Sequence, residues 1–415
     1  MAEIQNISKD AVIIGGGPAG LAAAVELHKK GITDILILER EKNLGGILRQ
    51  CIHDGFGLIR FKELLSGPEY AGRFISQVHE LHIPYSINTS VIQITPDHQV
   101  TAVSPAGLIH IQAKAIILTM GCRERTRGAL QIPGERPCGV LTAGVAQAYM
   151  NLYNRTIGKN IVILGSGDIG LIMARRLTLE GAHVHAVYEI QSTPSGLQRN
   201  IHQCLNDFGI PLYLSHTVTN IHGNGRISGV TVQKVDNAMR PVPGTEQDIA
   251  CDTLILSVGL IPENELSVGC GIKLDVRTKG AVVDEFFQTS VPGVFAAGNV
   301  LHVHDLVDNV SQEAEELSDA AAQFIRQGTL PPCPVQVCYD EHINHVLPQY
   351  LTGNNKTMLS LRVGKEYKDK TISVIQNGKE IAAKKMKRLL PAEMIRIPVS
   401  SESFVGQEPV EVCII

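Results

Sequence analysis

Two stretches of this chain join glycine turns to a distant acid in the same way. Nineteen residues beyond the triplet Gly15-x-Gly17-x-x-Gly20 stands Glu39, and nineteen beyond Gly165-x-Gly167-x-x-Gly170 stands Glu189. Each triplet follows a short apolar run, opens a helix-forming stretch and leads to a second apolar run that ends on the acid. Chemistry explains the residue types. The first glycine permits a tight turn, the second lets a pyrophosphate approach the backbone, and the third lets helix and strand pack closely. The helix starts, Pro18-Ala19 in the first copy and Asp168-Ile169 in the second, present free N–H groups and a positive dipole end to phosphate. The acids are placed for ribose hydroxyls. One such triplet is weak evidence. Two complete units, 150 residues apart, make a pair of dinucleotide sites the reading of choice over glycines that merely turn the chain.

The other candidates are thiols and imidazoles. In GGILRQCIHDGFG, residues 45–57, Cys51 offers a redox thiol. His53 is a candidate proton donor, since histidine exchanges protons near neutral pH. Cys122 is a second possible thiol, more simply read as packed. Cys333 and Cys338, five residues apart, have no His/Cys cluster around them and make a poor zinc site. In HVHD, residues 302–305, two histidines are spaced for chelation, but no third or fourth ligand is evident nearby in sequence. No metal site is therefore expected, and His304 or Asp305 is read as facing substrate or partner.

These residues need a scaffold, and bulk properties constrain it. With 415 residues the chain is too long for one ordinary core. Hydrophobic residues make up 44% and 39 residues are glycine, which suits a loop-rich α/β protein. A formal charge of −4 gives no bulk attraction to nucleic acid or anionic membrane. The N-terminus lacks a secretory pattern, and no apolar run reaches the roughly 20 residues needed to span a bilayer. Nine scattered cysteines suggest reduced thiols in the cytoplasm.

The first site, with Gly-Gly-Gly-Pro-Ala-Gly and the pair Glu39-Arg40, has the common form for FAD. At the second, Glu189 would repel a 2′-phosphate and no Arg follows it directly, which favours NAD(H) over NADP(H). With these features the sequence resembles the flavoproteins that carry two dinucleotide-binding domains, the superfamily of glutathione and thioredoxin reductases. AIILTMG (115–121) resembles the family's strand ending in A-T-G, LILSVGLIPEN (254–264) the element closing the NAD domain, and TSVPGVFAAGNV (289–300) the second FAD motif, with Asn299 where that motif ends in Asp. GCRERTRGALQIPGERPCGVLTAGVAQ (121–147) is similar to FAD subunits of heteromeric amine and amino-acid dehydrogenases. With RQCIHDGFG and GPEYAGRF it also resembles oxidoreductases associated with anaerobic glycerol-3-phosphate dehydrogenase.

The resemblance implies an α/β fold of two Rossmann-like domains, one discontinuous, plus a small β-rich C-terminal domain. The FAD domain is expected over 1–122 and 263–330, the NAD domain over 159–262 after a connection at 123–158, and the appendage over 331–415. Asn377-Gly378 marks a hairpin there, and KKMKR (384–388) reads as a solvated strand edge or a docking face for a partner subunit. The implied FAD contacts are Gly15, Gly17, Pro18, Ala19, Gly20, Glu39, Arg40, Gly46, Leu48, Val91, Gly121, Gly298, Asn299 and Val310. Those for NAD are Gly165, Gly167, Asp168, Ile169, Glu189 and Gly259. Disulfide-reducing relatives carry a C-x-x-x-x-C pair after the Gly-Gly, and here Leu48 and His53 hold those positions. The expected activity is hydride exchange between NAD(H) and FAD, in a chain that passes electrons to a partner dehydrogenase subunit or small redox protein, within a homo- or hetero-oligomer. One alternative is a stand-alone peroxidase, oxidase or disulfide reductase using Cys51. Another is a non-catalytic cofactor-binding scaffold.

Overall fold

The computed structural model describes residues 3–415. The chain forms two compact units, Met1–Cys122 with Pro262–Ile415, and Arg123–Ile261.

In the first unit the strand Glu3–Ile14 lies between Ile35–Leu38 and Gly107–Leu118, parallel to both. Its apolar end, Ala11 to Ile14, is buried on both faces, as parallel strands covered from two sides require. The long strand Gly107–Leu118 changes neighbours along its length. Its first half pairs antiparallel with Gln99–Ser104, and its last residues pair parallel with Val294–Ala296. The chain thus returns, after the second unit, to complete the sheet it began.

One face of this sheet is covered by the helices Pro18–Lys29, Gly67–Glu80 and Val307–Gln327. Alanines line the contact between the first and last: Ala19, Ala22, Ala23 and Ala24 on one, Ala314, Ala320, Ala321 and Ala322 on the other. Small side chains let helix axes approach. The axes come close enough for the buried Ser318 hydroxyl to lie 3.3 Å from the Ala23 carbonyl. Ser66 and Glu69 form a reciprocal capping box that starts Gly67–Glu80.

The β-rich C-terminal region belongs to the same unit. It has a five-stranded sheet, in the order Tyr350–Leu351, Val335–Tyr339, Val410–Ile414, Tyr367–Gln376, Lys379–Leu389, and a three-stranded one of Ile343–Leu347, Thr357–Val363 and Ile395–Val399. Strict alternation in Thr357–Val363 buries Leu359, Leu361 and Val363 in a core of its own. Asn377 and Gly378, with φ of 49° and 73°, make the tight hairpin between Tyr367–Gln376 and Lys379–Leu389. The basic run 384–388 lies on the strand at the end of the five-stranded order.

The second unit carries a five-stranded parallel sheet, in the order Leu212–Leu214, His183–Glu189, Asn160–Leu164, Thr253–Leu256, Val140–Thr142. The helix Asp168–Leu179 covers one face, and an antiparallel sheet of His216–Asn224, Arg226–Lys234 and Gln247–Ala250 supplies the other core. The whole is an α/β fold with two Rossmann-like sheets and a β-rich C-terminal region.

Phe295, fully buried where the returning strand meets the sheet, packs edge-on against Phe324 at 6.1 Å between ring centroids. Phe295→Ala is expected to cost about 3–5 kcal/mol of stability, read as a lower denaturation midpoint in urea with FAD present throughout.

Candidate functional site

The two acids occupy equivalent positions in their units and are held alike. Glu39 is 6% exposed; its Oε2 accepts the Gly16 N–H at 2.7 Å and its Oε1 the Glu41 N–H at 2.8 Å. Glu189 is 4% exposed; its Oε2 accepts the Ser166 N–H at 2.9 Å and its Oε1 the Gln191 N–H at 3.0 Å. In each case the end of the second strand is clasped to the glycine turn of the first. Glu189 Oε2 also accepts from the Ser166 hydroxyl at 2.6 Å and the Ser195 hydroxyl at 3.2 Å, so its remaining capacity for a ribose hydroxyl lies on Oε1, whereas both oxygens of Glu39 keep a lone pair. Hydroxyls from a neighbouring strand end brace both turns. Thr119 Oγ1 lies 2.9 Å from the Ile14 carbonyl oxygen, and Ser257 Oγ accepts the Gly170 N–H at 3.0 Å.

The third glycine of the first turn has no room for a side chain: a Cβ on Gly20 would lie 1.9 Å from the Gly15 carbonyl oxygen. At Gly17 the nearest atom to such a Cβ is the Gly46 Cα, at 3.9 Å. Gly46, with φ of 55°, is what lets the following loop come this close, and Gly45 N–H donates to the Gly16 carbonyl at 2.8 Å. Leu48 is buried in the short helical turn Gly46–Gln50. Val91 and Met120 pack against one core beneath the sheet. Arg40 is exposed, its guanidinium 4.0 Å from Glu263. Gly121 and Gly259 face open space with φ of 73° and 102°.

Gly298 brings three parts of the first unit together. A Cβ there would lie 3.1 Å from Ala19 and 3.3 Å from Val310, so the turn 298–300, the start of Pro18–Lys29 and the start of Val307–Gln327 converge. The first-turn backbone amides of the two helices, which lie outside the regular helical ladder, the open Gly17 and the clasped Glu39 are the donors and clearance an adenine dinucleotide diphosphate requires, and the first unit fits FAD. The second unit repeats the donor set and fits a nicotinamide dinucleotide. Asp168 there is engaged internally, its Oδ1 accepting from Leu197 N–H at 2.8 Å and Asn200 Nδ2 at 2.6 Å.

The thiol and imidazole candidates separate. Cys51 Sγ donates to the Ile47 carbonyl at 3.4 Å, and burial pushes the thiol up to about 12, so the nucleophilic thiolate is the disfavoured form at neutral pH. His53 is half-buried, its Nδ1 2.9 Å from the Asp54 carbonyl oxygen and its ring 5.1 Å from Phe56. Asn299 uses its carboxamide inside the protein: Oδ1 accepts the His304 N–H at 3.0 Å and Nδ2 donates to Cys122 Sγ at 3.6 Å. An Asp here could accept from His304 but could not donate to Cys122.

The expectation that HVHD lacks a third ligand is corrected. Glu313, one turn and a half into the helix Val307–Gln327, is buried with Oε2 at 2.8 Å from His302 Nε2 and 3.3 Å from His304 Nε2. Its Oε1 accepts the Gly298 N–H at 2.7 Å. The substrate-facing role expected of His304 and Asp305 is likewise replaced, because the buried carboxylate draws His304 inward and Asp305 Oδ2 accepts the Met394 N–H at 3.0 Å. His345, from the C-terminal region, lies with its ring 5.9 Å from that of His302. Burial by itself would raise Glu313, but His304 and His302 outweigh it and hold the carboxyl well below the usual range. Burial, ahead of the neighbouring His304, lowers His302, and burial, with His302 and Arg362 beside it, pulls His345 down to about 3. No local pattern singled the acid out, since Glu313 stands among Ser311, Gln312, Glu315 and Glu316, and His345 lies 43 residues beyond His302.

Comparison with known proteins agrees with this geometry. Residues 9–321 match the pyridine nucleotide-disulphide oxidoreductase family, and the chain belongs to it, a family of FAD-dependent NAD(P)H oxidoreductases. It is similar to hydrogen cyanide synthase subunit HcnB of Pseudomonas protegens, 27% identical over 317 residues, or 71% of this chain and 66% of the relative. The chain therefore spans just under two thirds of that relative's length. It is 25% identical to the glutamate synthase (NADPH) small chain of Escherichia coli, over 78% of this chain and 70% of the relative. The crystal structure of T. acidophilum thioredoxin reductase superposes with a TM-score of 0.62 and 25% identity, covering 76% of this chain and 98% of the other.

Removing either clasp should separate the two sites. A hydrogen bond to a buried charge contributes about 1.5–3 kcal/mol. Glu189→Ala is therefore expected to weaken NADH binding roughly 10- to 150-fold while leaving the FAD-to-protein ratio unchanged. Glu39→Ala is expected to lower that ratio instead. Fluorescence titration with NADH and the flavin absorbance of the purified variants measure the two effects.

Proposed function

We propose that this chain exchanges reducing equivalents between NAD(H) and FAD as the electron-transferring subunit of a heteromeric dehydrogenase, with glycerol 3-phosphate the substrate to test first. The observation that carries the reading is the duplicated clasp, Glu39 on Gly16 and Glu189 on Ser166, in a chain whose two expected disulfide positions hold Leu48 and His53.

Bound flavin supplies the two-electron chemistry that amino-acid side chains lack. The chain's residues bind and orient. The amides at the starts of Pro18–Lys29 and Asp168–Leu179 hold phosphates, and Glu39 and Glu189 hold ribose. Glu189, buried and already bonded to two backbone amides, presents an anion to any 2′-phosphate, and Ile190 and Gln191 follow it in place of a basic residue. NAD(H) is favoured on that ground. The start of the helix Val307–Gln327 brings its positive dipole end to the turn at Gly298, where it favours a developing negative charge.

Two features support a partner. The names of the two relatives above are those of a subunit and a small chain. In this chain Ile47, Ile52, Leu58, Ile59 and Leu64, all about half exposed, crowd the segment after the Gly45-Gly46 loop. Large apolar side chains concentrated in this way suit a covering protein surface. No observation favours Cys51 chemistry, since the thiol is held protonated.

Anaerobic addition of NADH to the FAD-loaded chain is expected to bleach the flavin absorbance, with NADPH far less effective. Flavin that keeps its colour in excess NADH would sink the proposal. Cys51→Ser is expected to leave NADH oxidation with an artificial acceptor unchanged, measured as steady-state turnover.

A further inference from the structure

The geometry points to a metal site in this chain: His302, His304 and Glu313, with the ring of His345 beside them, form a buried centre for a divalent first-row transition ion, Zn²⁺ being the species it suits best.

The distances carry the argument. Zinc binds imidazole nitrogen and carboxylate oxygen at about 2.0–2.2 Å, so two ligand atoms on one ion stand about 2.9–3.4 Å apart for angles between octahedral and tetrahedral. The separations from Glu313 Oε2 to the two Nε2 atoms are 2.8 Å, across the His302 hydrogen bond and just short of that range, and 3.3 Å, within it. All three ligand atoms lie within 4.8 Å of one another. Two imidazoles on one tetrahedral ion have ring centres about 5 Å apart. The His302–His304 and His302–His345 centroid distances, 4.2 and 5.9 Å, fall on either side of that value.

The hydrogen-bond balance points the same way. Both ring nitrogens of His345 are buried with no hydrogen-bond partner, although the residue is 6% exposed. Buried polar atoms in native proteins are overwhelmingly satisfied, and one that is not calls for a ligand or ion. Two imidazoles on one buried carboxylate, with a third ring against one of them, are hard to explain as an ordinary apolar core. As a ligand set, two imidazole nitrogens and one carboxylate oxygen match borderline ions such as Zn²⁺ and Fe²⁺. A cavity of about 20 Å³ beside His304 and Glu313, lined also by Asn309, Met394 and Arg396, has room for one water as a further ligand.

The ligands come from two pieces of one unit, the loop after Gly298 and the helix Val307–Gln327, with the strand Ile343–Leu347 of the C-terminal region alongside. Glu313 also holds the Gly298 amide. An ion here would fasten the helix Val307–Gln327 to the loop that follows the second FAD motif. Its role is structural, and the inference does not depend on the identity of any partner subunit.

The test uses the full-length FAD-loaded chain, stripped with a chelator and titrated with Co²⁺, then with Zn²⁺. The expected result is saturation at one Co²⁺ per chain, with visible d–d absorption from a mixed nitrogen–oxygen site and displacement by Zn²⁺. Glu313→Gln and His304→Ala are expected to weaken Co²⁺ binding at least tenfold, with far-UV circular dichroism reporting whether each variant is folded. Zn²⁺ is expected to raise the melting temperature of the wild-type chain and not of Glu313→Gln. Lack of saturable Co²⁺ binding in the wild-type chain overturns the proposal, as does binding that survives both substitutions.

Discussion

A buried carboxylate bonded to backbone amides is the constraint on which this structure is organised. An ionised acid out of water is expensive unless its oxygens find donors. Glu39 and Glu189 each find one in the glycine turn of the preceding strand and another two residues downstream. The clasp sets the distance between the two strand ends. It leaves the carboxylate at the rim of the turn, where the helix start also delivers free amides. Nucleotide recognition and local folding therefore share the same bonds, and an acid at this position is a structural member even before a ligand arrives.

The same physics recurs at Glu313, with a different solution. Here one oxygen takes a backbone amide, at Gly298, and the other faces two imidazoles. The helix that carries Glu313 can bury an anion because it packs through alanines on one side and meets the histidine loop and the C-terminal region on another. Arg362 Nη2 donates to the Val303 carbonyl at 3.1 Å, and Met394 N–H donates to Asp305 at 3.0 Å, so the β-rich region grips this loop directly. The C-terminal region is thus coupled through hydrogen bonds to the turn at Gly298, rather than being an appendage on a linker.

Much of this was legible in order along the chain. The glycine spacing, the acids nineteen residues on and the apolar runs report local geometry, and local geometry is what periodicity encodes. The hairpin at Asn377-Gly378 was legible for the same reason, since few residue pairs adopt two consecutive left-handed conformations. Cys51 was harder. Its distance from the expected cysteine positions argued against a disulfide, but whether the thiol is exposed and acidic depends on what surrounds it. Asn299 stands where the motif ends in Asp; its bonds to His304 and Cys122 show a carboxamide used for both its acceptor and its donor.

By itself the sequence determined that there are two dinucleotide-binding turns, which one resembles an FAD site, and that no cysteine pair stands beside it. These are properties of residues close in sequence, where backbone conformation follows residue type. Only the tertiary structure decided that His302 and His304 share a carboxylate and lie beside His345. Those residues come from a loop, a helix and a strand, and no periodicity links them. Their meeting follows from packing of the C-terminal region on the helix Val307–Gln327, where long-range burial, rather than local preference, sets which side chains face one another.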